Sequence, residues 1–154
     1  AYRLPDHSAN GTTLGTGAVD LTGNPLANAL TGNDAANVLA GGTGDDTLTG
    51  GGGADRFVFR TGDGTDTLTD FSIADGDVID LRGVVGVHTL ADLAIAQNGS
   101  DTVITLGSGL GIAVSVSIRG SIDVCVGVGF GAVVAGNGPG GDDDHREGES
   151  NQLS

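Results

Sequence analysis

The sequence predicts an all-β fold, and three observations support this. Glycine accounts for 30 of the 154 residues, whereas only three are proline. Hydrophobic residues make up 38% of the chain and aromatic residues only 3%, so the core must be thin and built from small aliphatic side chains. A glycine, a polar residue and a large apolar residue recur every nine positions. Together these features predict a parallel β-roll of nonapeptide repeats with a C-terminal antiparallel β cap, rather than collagen, which needs glycine at every third position.

The repeat is clearest in four consecutive units, GNPLANALT, GNDAANVLA, GGTGDDTLT and GGGGADRFV, which cover residues 23–58. Position 1 is always glycine, position 6 is Asn or Asp, and position 8 is Leu or Phe. A weaker unit, LGTGAVDLT, precedes them and has Val19 at position 6. Nine residues accommodate a tight turn and a short strand that turns one apolar side chain inward. A single unit buries almost nothing, but stacked units bury a continuous apolar ladder.

The rest of the chain divides by composition. Residues 1–22 are predicted to be a lead-in or degenerate repeat, 23–58 the roll, 59–120 the antiparallel cap, and 121–154 a divergent, partly disordered tail. Within the cap, Asn98-Gly99 between alternating apolar residues predicts a hairpin, and residues 112–118 predict a further strand.

The charge of the chain restricts its partners. The net charge is −14, 18 of the 20 acidic residues are Asp, and all six basic residues are Arg. Such a chain repels nucleic acid and anionic membranes and attracts cations. Cys125 is the only cysteine, so no internal disulfide is expected. The first ten residues contain no apolar segment typical of a signal peptide, and no stretch is long enough to predict a membrane span.

Stacking of the units brings the position-6 side chains into register. Aligned carboxylates repel one another, and a hard cation between the turns removes that repulsion. Calcium takes six to eight oxygen ligands from carboxylates and backbone carbonyls, and glycine turns expose carbonyls. The alternative is that these aspartates only cap backbone amides. For Asp70, Asp77 and Asp80, calcium binding at the end of the roll and exposure to solvent remain equally open.

The unit GGTGDDTLT matches the pattern G-G-x-G-x-D-x-U-x at every defined position, and thereby resembles the calcium-binding RTX repeat. The segment that follows, ADRFVFRTGDGTDTLTDFSIADGDVIDL, is similar to the C-terminal domain of serralysin-type metalloproteases and to the R-modules of mannuronan epimerases. The resemblance extends over residues 23–118.

The resemblance implies that each calcium ion lies between turns two units apart. Asp55 would share a site with Asn37, Asp46 would share one with Asn28, and Asp63 and Asp66 would complete another beside Asp46. Turn carbonyls would add to these ligands. Because Asn is a neutral ligand, the sites that contain Asn28 or Asn37 should bind calcium more weakly than sites that contain only Asp. The implied metal-site residues are Asn28, Asn37, Gly41, Thr43, Asp46, Gly50, Gly52, Asp55, Asp63 and Asp66.

The resemblance further implies a secreted, extracellular protein that uses a type I exporter and folds when it meets calcium outside the cell, as the C-terminal part of a larger protein. The tail after Ser121 departs from the family pattern. No catalytic constellation is present: His7, His88 and His145 are scattered, and there is no lysine. The alternatives are a module that binds acidic polysaccharide (alginate) through Arg56, Arg60, Arg82 and Arg119, or a fragment of a serralysin-like protease.

Overall fold

The computed structural model describes residues 1–87, 92–106, 114–118, 123–125 and 132–136. The regular elements of these residues are all β-strands, which confirms the predicted all-β class. They are β1 (Tyr2–Arg3), β2 (Asn10–Thr12), β3 (Asp20–Thr22), β4 (Ala29–Thr31), β5 (Val38–Ala40), β6 (Thr47–Thr49), β7 (Arg56–Arg60), β8 (Thr65–Leu68), β9 (Val78–Gly83), β10 (Leu93–Asn98), β11 (Asp101–Leu106), β12 (Val114–Ile118), β13 (Asp123–Cys125) and β14 (Ala132–Gly136).

Successive strands of the roll alternate between two sheets. One sheet runs β1-β3-β5-β7-β9 and the other β2-β4-β6-β8, all parallel. Leu30 pairs with Leu48 and Leu21 with Leu39, so strands that neighbour each other in a sheet are two units apart in sequence. The nonapeptide period therefore corresponds to half a coil, and the predicted parallel β-roll is confirmed.

The core lies between the two sheets and consists mainly of the position-8 side chains. Leu30, Leu39, Leu48 and Phe57 are all completely buried. Each three-residue strand directs this one residue inward, because successive side chains in a strand point to opposite faces. The core is a single stack of aliphatic residues, widened by Phe59 and Phe71 towards its C-terminal end.

The parallel coil extends beyond the predicted limits of 23 and 58 at both ends. It begins with β1, which pairs with β3, and continues through β9, which pairs with β7. Each coil also contains more residues after Val58. Paired residues are 18 positions apart in the repeats, but Thr67 lies 20 positions after its partner Thr47, and Val78 lies 22 positions after its partner Arg56. The acidic and apolar segment that follows the repeats therefore forms further turns of the roll before the cap begins.

The predicted antiparallel cap is present as β10, β11 and β12. Strands β10 and β11 form a hairpin, although its two-residue turn is Gly99-Ser100, one position later than Asn98-Gly99. Gly99 has φ +65, which this turn requires. Strand β12 is antiparallel to β11 but parallel to β8, so it joins the cap to the roll.

Of the predicted tail, the structure describes only β13 and β14. Strand β14 pairs antiparallel with β9 and with β13, which extends the first sheet. The expectation of partial disorder concerns residues that lie outside the described part of the chain. Within the described residues, no helix has the length and hydropathy that crossing a membrane requires.

Candidate metal centre

The position-6 side chains form two columns, one along each edge of the roll where a turn enters a strand. All of them are buried, with at most 3% of each residue exposed. Stacking at two-unit intervals brings together residues that are 18 to 22 positions apart in sequence. One column contains Asn28, Asp46 and Asp66, and the other contains Asn37, Asp55 and Asp77.

Backbone hydrogen bonds hold each column together. The Asn28 N–H donates to Asp46 Oδ1 at 2.8 Å, and the Asp46 N–H donates to Asp66 Oδ1 at 2.9 Å. In the second column the Asn37 N–H donates to Asp55 Oδ1 at 2.7 Å, and the Asp55 N–H donates to Asp77 Oδ1 at 2.8 Å. One carboxylate oxygen of each aspartate thus caps the previous turn, which is the structural role that the sequence left open.

The second oxygen of two of these carboxylates is left without a partner. Asp46 Oδ2 and Asp55 Oδ2 are both buried and neither accepts a hydrogen bond. A buried carboxylate oxygen that is neither solvated nor hydrogen-bonded costs free energy. These two atoms therefore point to a ligand that is not part of the polypeptide.

The glycine at position 1 makes room for this arrangement. A Cβ on Gly41 would overlap Asp46 Oδ2, and one on Gly50 would overlap Asp55 Oδ2. The invariant first glycine of the unit is thus required by close approach of the position-6 carboxylate.

The electrostatic environment of the columns is unfavourable for negative charge. Burial, reinforced by neighbouring carboxylates, raises the pKa of Asp46 and of Asp55 to about 6, although a backbone N–H bond opposes the shift in each case. Burial also raises the pKa of Asp66 to about 7, with Asp46 and Asp63 adding repulsion. The pKa of Asp63 and of Asp77 is raised by burial as well. A positive ion between the turns would reverse this penalty.

Asp63 and Asp70 lie beside the columns at the C-terminal end of the roll, where Asp77 is the last member of the second column. Asp63 Oδ2 accepts the Arg60 N–H at 2.7 Å, and Asp77 Oδ2 accepts the Ser72 N–H at 2.8 Å. The two oxygens of Asp70 accept the N–H groups of Gly50 and Gly51, both at 2.8 Å. All three carboxylates are thus anchored by the backbone beside Asp46 or Asp55.

Side chains alone do not complete a metal site. Among the residues that the structure describes, no three His, Cys, Asp or Glu side chains converge closely enough to hold an ion. Backbone carbonyls would have to supply the remaining ligands. The turn carbonyls predicted from the resemblance, at Gly41, Thr43, Gly50 and Gly52, lie in the turns that carry Asp46 and Asp55.

The predicted ligands Asn28 and Asn37 already bond within the protein. Asn28 Oδ1 accepts the Asn24 N–H, and Asn37 Oδ1 accepts the Asn33 N–H, each at 2.8 Å. Their carboxamide oxygens are therefore weaker candidates than the free carboxylate oxygens of Asp46 and Asp55. Their role as ligands stays a prediction.

Two features of the site were not assigned from sequence. Asp77 belongs to the second column, but it lies 22 residues after Asp55, outside the nine-residue period. Asn24 and Asn33, at position 2 of their units, bridge to preceding turns through their side chains. The sequence did contain a signal for these bridges, because position 2 is Asn in the first two units and Gly in the next two.

Asp80 is neither solvent-exposed nor part of the columns. It is 5% exposed and lies in an internal strand, where it forms a two-point salt bridge with Arg82 and a longer one of 3.6 Å with Arg56. Hydrogen bonds from Arg82 lower its pKa. Both readings considered from sequence, solvent exposure and calcium binding, give way to a salt bridge with arginine.

Three of the four arginines singled out from sequence lie on neighbouring strands. Arg56 and Arg60 belong to β7 and Arg82 to β9, and all three are exposed while Phe57, Phe59 and Ile79 point inward. Two of them, Arg56 and Arg82, form the salt bridges with Asp80. The fourth, Arg119, lies outside the described residues.

A family model and one solved structure of an epimerase subunit agree with this geometry. The family model "RTX calcium-binding nonapeptide repeat (4 copies)" matches residues 31–68. The solution structure of the AlgE6R2 subunit of the Azotobacter vinelandii mannuronan C5-epimerase is similar, with a TM-score of 0.50 and 25% identity over 77% of this chain and 87% of that one. The extracellular lipase LipA of Serratia marcescens aligns at a TM-score of 0.45 and 22% identity, over 71% of this chain and 18% of the lipase. No curated protein sequence matches significantly.

The nine-residue period, the two columns of buried Asp and Asn, and the family match overlap along the chain. Residues 31–68 match the family model of the RTX calcium-binding nonapeptide repeat, and they fold as part of a parallel β-solenoid.

Proposed function

We propose that this β-roll binds calcium ions between its turns and that calcium binding completes its folding. The observation that carries the proposal is the pair of buried carboxylate oxygens without partners, Asp46 Oδ2 and Asp55 Oδ2. The RTX repeats support the choice of metal, because that family is calcium-binding. The donor set also fits, since it contains only oxygen and calcium prefers carboxylate and carbonyl oxygens.

One site would be built around Asp46 and Asp66, with Asp63 close by. The carbonyls of Gly41 and Thr43 would complete its ligands, and the turn of Asn28 would bound it. The raised pKa of Asp66 supports this placement, because burial and the neighbouring carboxylates disfavour its negative charge in the metal-free roll. A divalent cation would keep these carboxylates ionised at neutral pH.

A second site would be built around Asp55 and Asp77. Here the carbonyls of Gly50 and Gly52 would contribute, and the turn of Asn37 would bound the site. Asp70, which caps the Gly50 and Gly51 amides, adds negative charge near Asp55. Both sites would link turns two units apart, so each bound ion would stabilise the stack rather than a single loop.

The test is calcium titration of the full chain and of isosteric variants. We expect the β-strand circular dichroism signal to fall in excess chelator and to return with calcium. Asp46→Asn and Asp55→Asn should each reduce the calcium stoichiometry measured by calorimetry. Asp20→Asn is the matched control, because Asp20 is exposed and belongs to neither column. A spectrum that does not respond to chelator would refute the proposal, and unchanged stoichiometry in both variants would refute the ligand assignment.

We further propose that the chain is the C-terminal part of a larger type I secreted protein and acts outside the cell. Low cytosolic calcium would leave the calcium-dependent turns unfolded for export, and higher calcium outside would fold them. Co-expression with a type I exporter tests this: the chain should accumulate in the medium only when the exporter is present. Retention in the cell with a working exporter would count against it.

A second candidate function is binding of an acidic polysaccharide such as alginate, as a non-catalytic module. The observation in its favour is the exposed group Arg56, Arg60 and Arg82 on one face of a strongly acidic chain. The similarity to an epimerase subunit adds support. In affinity electrophoresis with alginate, Arg60→Gln should lose retardation, whereas Arg3→Gln, on β1, should keep it. Equal migration with and without alginate would exclude this candidate.

A further inference from the structure

The two earliest inter-turn spaces of the roll are closed by asparagine side chains. These N-terminal spaces lie between residues 5–8 and the turn of Asn24, and between residues 15–17 and the turn of Asn33. Asn24 Nδ2 donates to Pro5 O at 2.6 Å and Ser8 O at 2.7 Å. Asn33 Nδ2 donates to Gly15 O at 3.0 Å and Gly17 O at 2.9 Å. Each amide group thus bridges two carbonyls of the preceding turn.

The other ends of these side chains are also occupied. Asn24 Oδ1 accepts the Leu26 N–H at 2.9 Å, and Asn33 Oδ1 accepts the Ala35 N–H at 3.0 Å. Asn28 Nδ2 reinforces the first bridge through Ser8 O at 3.1 Å and Ala9 O at 3.2 Å. The carbonyl oxygens that face the two N-terminal spaces, those of Pro5, Ser8, Gly15 and Gly17, therefore accept hydrogen bonds from donors of the protein itself.

The pattern changes at Gly41. Position 2 is then glycine, at Gly42 and Gly51, each with φ +97, so no side-chain amide is available to reach the preceding turn. In the same units position 6 changes from Asn to Asp, and the unpartnered oxygens of Asp46 and Asp55 appear. The N-terminal spaces contain neutral amide donors, whereas the later ones contain anionic acceptors without donors.

An amide NH₂ group and a calcium ion satisfy the same kind of acceptor. Carbonyl oxygens accept two N–H bonds from a carboxamide, or they coordinate a cation. The two cannot share one position, since the amide hydrogens carry partial positive charge and would repel an ion. We propose that the Asn24 and Asn33 amides take the place of calcium in the N-terminal spaces, so that the turns before Gly41 hold without metal and calcium dependence begins at Gly41.

This inference builds on the proposed calcium binding and adds an order of assembly. In a solenoid each turn is stabilised mainly by its neighbours. A metal-independent N-terminal segment, residues 1–40, would then present the edges of β4 and β5 as a template. The calcium-dependent turns would stack on that template when the ion becomes available.

Hydrogen exchange of the full chain, followed by mass spectrometry with calcium and in chelator, tests the inference. In chelator we expect amides of β3 and β4 to exchange at least about tenfold more slowly than those of β6 and β8. With calcium, both groups should be protected. Loss of protection to the same extent in both groups would overturn the inference.

Isosteric variants separate the amide bridge from general stability. Asn24→Asp and Asn33→Asp replace the bridging NH₂ by an anionic acceptor that faces the same carbonyls. Each should remove protection of β3 and β4 in chelator, and calcium should restore it. Asn10→Asp is the matched control, since Asn10 is exposed and the charge change is identical. Unaltered exchange of β3 and β4 in both test variants would also overturn the inference.

The two proposals fail in different ways. If calcium changes exchange nowhere in the chain, the calcium-binding proposal fails, while slow exchange of β3 and β4 relative to β6 and β8 would still support the amide bridges. If calcium protects all turns from an equally exchanging state, calcium binding stands and the amide inference fails.

Discussion

At the scale of single residues, the position-6 aspartate combines two roles on one carboxylate. In Asp46, Oδ1 accepts the Asn28 N–H of the preceding turn, and Oδ2 remains buried without a partner. The first role is structural and works in the absence of metal. The second leaves an anionic acceptor for a cation, and it depends on glycine at position 1, because Gly41 lies against Oδ2.

We expect Gly41→Ala to destabilise the calcium-bound protein by about 1–3 kcal/mol, because the added methyl group overlaps the Asp46 carboxylate. Calcium affinity should fall in parallel, as measured by titration calorimetry. Gly17→Ala is the control: a Cβ there meets nothing within 4 Å. If the two variants unfold at the same urea concentration, the close approach is not important for the site.

The raised pKa values predict an unusual pH dependence of the calcium-free protein. Asp46 and Asp55 have folded pKa values of about 6 and Asp66 of about 7, above the ordinary 3.8. The folded state therefore holds protons that the unfolded chain has already released. The corresponding stability is present at low pH and is lost as the pH rises through 6 to 7.

The melting temperature of calcium-free protein should accordingly be higher at about pH 5 than at about pH 7.5. Excess calcium should reverse the order, because protons compete with the ion for the same carboxylates. Circular dichroism melts of calcium-depleted protein provide the measurement. Asp46→Asn combined with Asp55→Asn should flatten the calcium-free slope, and a melting temperature that rises with pH without calcium would contradict the expectation.

At the scale of secondary-structure elements, each strand of the repeats contributes one side chain to the core. A three-residue strand such as β6 has no stability of its own, and Leu48 is completely buried between its neighbours in the stack. The sequence predicted these strands well because the nine-residue period alone places Leu30, Leu39 and Leu48 on the inner face.

Leu48→Ala should lower the free energy of unfolding by about 2–5 kcal/mol, measured by urea denaturation in calcium. The loss combines the removed apolar contact with a cavity that a narrow stack cannot close. Leu14→Ala is the control, since Leu14 is 89% exposed; that change should stay within about 0.5 kcal/mol. Comparable losses in the two variants would mean that the Leu ladder is not the core.

The elements after Val58 were predicted less completely. The hairpin of β10 and β11 followed from local turn chemistry. The parallel pairing of β12 with β8 did not, because it joins segments about fifty residues apart in the sequence. Likewise, β8 and β9 belong to the roll rather than to the cap, although their turns no longer have nine residues.

At the scale of the whole molecule, the chain has a net charge of −14, and the fold buries several of the aspartates that contribute to it. Any salt weakens the diffuse repulsion between exposed charges. At about 1 M ionic strength the Debye length is roughly 3 Å, so charges farther apart than this scarcely interact through the solvent. Buried carboxylates respond much less to screening. The two contributions can therefore be separated by the choice of cation.

We expect about 1 M NaCl to leave the calcium-dependent turns unfolded in chelator, whereas millimolar calcium folds them, because only an ion bound at the columns reaches the buried oxygens. Circular dichroism in each salt measures the difference. Full recovery of β structure in NaCl alone would show that general charge screening, and not site binding, completes the roll.

The amino-acid sequence was sufficient for the period, the inward Leu and Phe ladder and the acidic turns. These features repeat locally, so each unit carries the information for its own turn and strand. The fold was needed to place Asp77 opposite Asp55, to pair Asp80 with Arg82, and to bring the Asn24 and Asn33 amides to carbonyls 16 to 19 residues earlier. Once turn lengths vary, contacts between coils depend on which strands stack, and that depends on the packing of the whole roll.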